Sequence, residues 1–237
     1  MWWFAAAHAN LIQLYERVSH PALRGGGVLD AGCGTGGLLR ALAGRYPDRT
    51  AIGIDLAPLA CARALAKSGR PVCTGSVNGL PFADSSFAAI FSADVLCHRA
   101  VDEHAALAQF HRCLGPGGLL VLNLPAYRWM LSRHDAAVHN ARRYTRRGIA
   151  ALLRAANFRP LYSGYWNTVP FPMMLATRKL LPASRGSESD VGLYPGPVEA
   201  LCRAATRLER AWLGWGLRLP FGGSVVAIAA KAEGSDA

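Results

Sequence analysis

The stretch VLDAGCGTGG, residues 28–37, sets the strongest limit on what this chain can fold into. It joins an apolar run that reads as a strand to the helical pattern GLLRALAGRY through glycines 32, 34, 36 and 37. Glycines at such a junction let the backbone turn tightly and approach a ligand closely at a helix N-terminus. A strand that turns straight into a helix opens a β-α-β unit, and that unit belongs to a parallel sheet.

The following segments keep the rhythm. TAIGIDL (50–56) reads as a strand and APLACARALAKSG as a helix stopped by Gly69. PVCTGS is a short strand, FAAIFSADVL (87–96) a longer one, and DEHAALAQFHRCL a helix broken by Gly115–Gly118 before the strand LLVLNLP. This alternation predicts a Rossmann-like, mostly parallel sheet with helices on both faces. After Pro125 the pattern changes: Thr145 can cap the helix RRGIAALLRAAN, and FRPLYSGYW follows as an aromatic strand. A Pro/Gly/Ser-rich insertion and the amphipathic helix VEALCRAATRLERAWLGWGL then precede a last strand, GGSVVAIAAKA.

The expectation is one domain over residues 1–237. An N-terminal helical cap (1–24) precedes a ligand-binding core (25–125), then a substrate-side loop, helix and strand (126–166). A helical insertion or lid (167–219) leads to the final strand and tail (220–237). The apolar start, MWWFAAAHANLIQLY, lacks a basic leader and a cleavage site and reads as a native helix. No run reaches the roughly 18 apolar residues that span a bilayer. Six scattered cysteines with no CxxC pair argue against a zinc site or a disulfide framework, so reduced thiols in the cytoplasm are the default.

Charge is uneven: residues 125–220 carry a net +10, against +2 for residues 1–124. An anionic partner met by the second part would suit this, as would a solvated arginine-rich surface.

The glycine spacing 32, 34, 37, with Asp55 ending the next strand 23 residues on, also fits a dinucleotide fingerprint. Asp30 decides against a dinucleotide, because a carboxylate there would face a pyrophosphate unfavourably. It suits a ligand with an ammonium group and no phosphate, such as S-adenosylmethionine. VLDAGCGTG, GIDLAP, LPFADSSF and FHRCLGPGGLLVLNLP, over roughly residues 25–125, resemble class I S-adenosylmethionine-dependent methyltransferases in order and spacing. The resemblance implies a seven-stranded sheet whose last strand is antiparallel, with the insertion just before it. It further implies S-adenosylmethionine as cofactor, S-adenosylhomocysteine as product, and a binding set of Asp30, Gly32, Cys33, Gly34, Asp55, Leu56, Ser76, Val77 and Ala93. Asp30, Gly32 and Gly34 would line the methionine end, and Asp55 with Leu56 the ribose. Ser76 stands where such sequences usually place an acidic residue for the adenine amino group, and Ala88 where an aspartate is common.

In this fold acceptors bind beyond the strand carboxyl ends, which brings in Asp94 and His98 after the fourth strand and Tyr127 onward after the fifth. HDAAVHNARRYT (134–145) lies just past that fifth strand. Asp135 and His139 are i, i+4 and would share a helical face, where the carboxylate fixes the tautomer of a general base. The expected catalytic set is His139, Asp135, His134 and Tyr144. The expected substrate contacts are His98, Tyr127, Arg142 and Arg143, the two arginines gripping an anionic group by forked hydrogen bonds. The stretch also resembles a subgroup of bacterial methyltransferases, related to the type 11 family, that keeps a His-Asp, a His and an Arg-Arg-Tyr at this point. With no second ligand cluster, no metal is assigned. His8, His20, His104 and His111 read as surface or helix residues.

The predicted function is methyl transfer to a small-molecule or lipid-type acceptor, with an anionic one favoured. A non-catalytic module that binds the same cofactor stays open as the alternative, while nucleic acid and nicotinamide chemistry fit less well. Residues 171–218, with tryptophans beside arginines, could cover a substrate, touch an acidic membrane or pack on their own domain. Oligomeric state is not encoded legibly.

Overall fold

The computed structural model describes residues 2–20, 26–179 and 196–232. The Pro/Gly/Ser-rich stretch 180–195 and the rest of the expected cap and tail lie outside the described residues.

Seven strands form one sheet in the order β3-β2-β1-β4-β5-β7-β6. They are β1 (Val28–Ala31), β2 (Ala51–Asp55), β3 (Val72–Thr74), β4 (Phe87–Ala93), β5 (Leu114–Pro125), β6 (Phe158–Trp166) and β7 (Ser224–Lys231). The first five pair in parallel, and β7 runs antiparallel between β5 and β6. The chain order reverses between β1 and β4, so a crevice opens beyond their carboxyl ends, the place where open α/β sheets bind ligands.

The helices are α1 (Trp2–Val18), α2 (Gly37–Arg45), α3 (Pro58–Ser68), α4 (Glu103–Cys113), α5 (Arg133–Ala137), α6 (Arg146–Ala155), α7 (Phe171–Lys179) and α8 (Gly196–Gly214). Their ends follow local chemistry. Pro58 opens α3 and left-handed Gly69 closes it. The Asp102 carboxylate accepts the amides of His104 and Ala105 at the start of α4, and the Thr145 hydroxyl accepts that of Gly148 at the start of α6.

Period-two patterning sorts the strand side chains into two cores. On one face Leu29, Ile90, Leu120 and Leu122 pack with Leu107 and Phe110 of α4 and Ile149 and Leu153 of α6. On the other, Val28, Phe91, Val121 and Ile228 pack with Leu11, Leu14 and Tyr15 of α1 and Leu38 and Leu42 of α2. β5 differs from the sequence expectation: it starts at Leu114, paired with Phe87, and runs through Gly115–Gly118 with a register shift. The glycines bend the strand there and do not precede it.

α8 packs on α1. Arg17 donates to the carbonyls of Leu213 and Gly214, and Gln13 to that of Arg210. Glu209 of α8 reaches under the chain after β6, accepting the amides of Asn167 and Val169 at 2.6 Å each.

Candidate functional site

A cavity of roughly 550 Å³ lies at the carboxyl ends of β1, β2 and β4. All nine residues of the expected cofactor set line it: Asp30, Gly32, Cys33, Gly34, Asp55, Leu56, Ser76, Val77 and Ala93. The glycine turn gives it shape. Gly36 (φ 79°) lies against the backbone of Ala64 in α3, where an added Cβ would come within 2.7 Å of Cα. Gly34 (φ 52°) is the opposite case: a Cβ there would meet no atom within 4 Å, so it borders open space in the cavity.

Asp55 orders this turn. Its Oδ2 accepts the Gly34 amide at 2.8 Å and its Oδ1 the Ala57 amide at 3.0 Å, which ties the end of β2 to the loop after β1. A carboxylate oxygen can accept more than one hydrogen bond, so both retain capacity for a ligand hydroxyl. Asp30 is only 1% exposed, and its Oδ2 has no hydrogen-bond partner among the described residues. Burial pushes its carboxyl up to about 7, the amide of Leu39 opposes this, and Asp55 adds to it. An unpartnered buried carboxylate oxygen is costly unless a ligand completes it.

Asp94 and His98, just after β4, also line the cavity. Asp94 takes a left-handed backbone (φ 58°), uncommon for a residue with a side chain. Asn123 Nδ2 lies 3.2 Å from each Asp94 carboxylate oxygen, and its own Oδ1 accepts Trp166 Nε1 at 2.8 Å. This chain fixes the carboxyl's orientation. Burial raises Asp94 to about 7, opposed by Asn123 and by the Arg143 charge. Burial lowers His98, partly offset by a hydrogen bond with the Asp94 carbonyl.

Sequence reasoning missed one wall entirely. Trp3, Phe4, Ala7 and His8 of α1 line the cavity, with Trp3 stacked on Trp166 at 5.9 Å. His8 is therefore a cavity residue and not a surface one; burial, then the Lys67 charge, lowers it to about 4. The i, i+4 spacing of Trp3–Ala7 and Phe4–His8 was the available signal.

The polar cluster of residues 134–145 needs correction. The Asp135–His139 pair does not form, because α5 ends at Ala137 and His139 turns away with a left-handed backbone (φ 58°). His139 is exposed and lies outside the cavity lining. Asp135, 1% exposed, is held instead by Arg143 Nε (2.9 Å) and Nη2 (3.1 Å) and by the amide and hydroxyl of Ser132. Burial alone would raise the Asp135 carboxyl; Arg143 and Ser132 outweigh it and leave it below the usual range.

The arginine clamp is corrected as well. Arg143 also donates to the Ala126 carbonyl, and Arg142 donates to the carbonyls of Leu96 and His98. Both guanidinium groups brace the loops behind the cavity. The buried Tyr144 hydroxyl sits 2.7 Å from Glu103 Oε2 and 3.0 Å from the Leu96 carbonyl, a strut to α4 and not a catalytic acid or base. The His134 side chain lies outside what is described. Tyr127 (φ 59°) stacks on Tyr165 and Trp129, beside the cavity and not in its lining.

Residues 29–122 match the family described as a methyltransferase domain. Over 97 residues the chain is 38% identical to malonyl-[acyl-carrier protein] O-methyltransferase of Dechloromonas aromatica, covering 40% of this chain and 35% of that protein. Over 131 residues it is 33% identical to trans-aconitate 2-methyltransferase of Acidovorax, covering 52% and 46%. The chain thus spans a third to a half of these curated relatives. Among solved structures, a Haloferax volcanii methyltransferase in complex with the Trm112 activator superposes with a TM-score of 0.65 at 20% identity, covering 99% of this chain and 91% of that one. Residues 29–122 thus carry a methyltransferase domain, and the chain shares the fold of the solved methyltransferases it superposes on.

The buried ion pair yields a stability test. Arg143→Ala strands the Asp135 carboxylate, and breaking such a pair costs about 3–5 kcal/mol. The expected result by urea denaturation at pH 7 is a loss in that range. Because the folded Asp135 pKa is depressed, the pair's contribution is complete above the unfolded Asp value and is lost as pH falls through the folded one. The gap between parent and variant should therefore narrow below about pH 4.

Proposed function

We propose that the protein transfers the methyl group of S-adenosylmethionine to a small-molecule acceptor, releasing S-adenosylhomocysteine. One observation carries the reading: two carboxyls raised to about 7, the buried Asp30 and the part-buried Asp94, line the same cavity from neighbouring strand ends. The residues present fit the cofactor. Asp30, unpartnered at Oδ2, would take its ammonium group, Asp55 its ribose hydroxyls, and the open space at Gly34 its chain. Leu56, Ser76 and Val77 would surround the base, and Cys33 and Ala93 the middle of the pocket. The bound cofactor supplies an electrophilic methyl group on a sulfonium.

The acceptor would enter on the Asp94–His98 side. Asp94, raised to about 7 and fixed by Asn123, is matched to remove a proton from an acceptor hydroxyl or acid near neutral pH. His98, kept neutral by burial, is placed to hydrogen-bond the acceptor. The aromatic group of Tyr127, Trp129, Tyr165 and Phe171 would extend that wall for an apolar or lipid-type portion. An anionic acceptor is supported by the acids named for the two curated relatives. Since Arg142 and Arg143 are engaged internally, they are not its clamp. We place the activity in the cytoplasm; among the described residues no helix is long and apolar enough to cross a membrane.

Incubation with methyl-labelled cofactor and cell extract should yield a labelled small molecule. Cofactor binding with no labelled product would favour the non-catalytic module. Calorimetry with S-adenosylhomocysteine tests the cofactor half. The Asp30 carboxyl is protonated below about 7, and only its ionised form attracts an ammonium, so affinity should rise from about pH 6 to about pH 8. Asp30→Asn should flatten that dependence and weaken binding by about 1–3 kcal/mol; an unchanged profile would remove Asp30 from the site.

Asp94→Asn tests the transfer half. The rate should fall by ~10²–10⁴ while S-adenosylhomocysteine affinity holds. In the parent, the rate should climb with pH through about 7 as Asp94 ionises. Parental turnover in the variant would assign the proton elsewhere or show that the acceptor needs no base.

A further inference from the structure

α8 is mounted with its apolar stripe facing solvent. Its inward face presents Glu199, Cys202, Thr206, Glu209 and Leu213, all buried. Directly opposite, at three- and four-residue spacing, run Leu201, Ala204, Leu208, Ala211 and Trp215, all exposed. Leu201 is 69%, Leu208 51% and Trp215 76% exposed. A surface helix ordinarily does the reverse, burying its apolar stripe and wetting its polar one. Hydrogen bonding accounts for the rotation of this helix. Glu209 holds the amides of Asn167 and Val169, and Gln13 and Arg17 hold the last carbonyls, so the polar side is fixed inward.

The charges complete the pattern. Both acidic residues of α8, Glu199 and Glu209, are buried, while Arg203, Arg207 and, just beyond the helix, Arg218 are exposed. The outward side of this helix thus carries apolar side chains and positive charge only. From Leu201 to Trp215 the stripe runs about 21 Å at helical rise, and exposed Leu217 follows it.

We propose that this face of α8 docks on an anionic lipid bilayer surface, with Leu201, Leu208 and Trp215 entering the headgroup boundary and Arg203 and Arg207 pairing with lipid phosphates. A helix lying in an interface needs these two properties together: an apolar stripe bearing tryptophan and an arginine flank. A second copy of the chain would bring arginines against arginines, which the charge pattern opposes.

The proposal goes beyond the transfer reaction and does not depend on it. Its test is sedimentation of the full chain with phosphatidylcholine vesicles, with and without 30 mol% phosphatidylglycerol. Expected is binding to the anionic vesicles only, reduced at least tenfold by 0.5 M salt. Leu208→Gln with Trp215→Gln should reduce it at least tenfold, as should Arg203→Gln with Arg207→Gln. All four side chains are exposed or at the rim, so both variants should keep the parental thermal midpoint and S-adenosylhomocysteine affinity. Absence of binding to anionic vesicles, or equal binding by folded variants, overturns the proposal. So does a dimer in light scattering that the apolar variant dissolves, since that would assign the stripe to a second copy.

Discussion

The contact between the Asp55 carboxylate and the Gly34 amide governs the binding half of the molecule. It joins the end of β2 to the loop after β1, on one side of the point where the strand order reverses. Gly36 can then sit against Ala64, which docks α2 on α3 and leaves Gly34 facing open space. Asp30 lies beneath this turn with one oxygen unpartnered, and burial raises its carboxyl to about 7, so the site favours the neutral acid until a cation is brought to it. The same carboxylate that shapes the turn also lines the cavity.

Charge buried behind the site serves a different end. Asp135 and Arg143 neutralise each other inside the loop after β5, and Arg142 and Tyr144 tie that loop to the carbonyls and carboxylate around α4. Such a pair adds little net stability over an apolar replacement, but breaking it by removing one partner is costly. These contacts hold the segment 94–98 that carries Asp94 and His98. Asp135, Arg142, Arg143 and Tyr144 of the densest polar cluster in the sequence thus brace this loop, and the acid on the cavity wall comes from elsewhere in the chain.

This explains what was legible and what was not. The glycine turn and the order of strands and helices are determined by residues close in sequence, and local rules read them, the start of β5 excepted. The i, i+4 reading of Asp135 and His139 assumed a continuing helix, but α5 ends at Ala137, and Arg143, eight residues on, captures the carboxylate. The role of α1 depends on its docking over the cavity, and the orientation of Asp94 depends on Asn123, 29 residues away. Amphipathic character in α8 was readable; which side faces inward was not, because Glu209 decides it through backbone amides 40 and 42 residues distant.

The proposed function places the cofactor in one cavity between α1 and the strand ends. A crystal structure of the protein soaked to saturation with S-adenosylhomocysteine tests this most directly. The account predicts density there, with the ligand's amino group within hydrogen-bond distance of Asp30, its ribose on Asp55, and its sulfur turned toward Asp94. A ligand bound elsewhere, or with its amino group remote from Asp30, would contradict it.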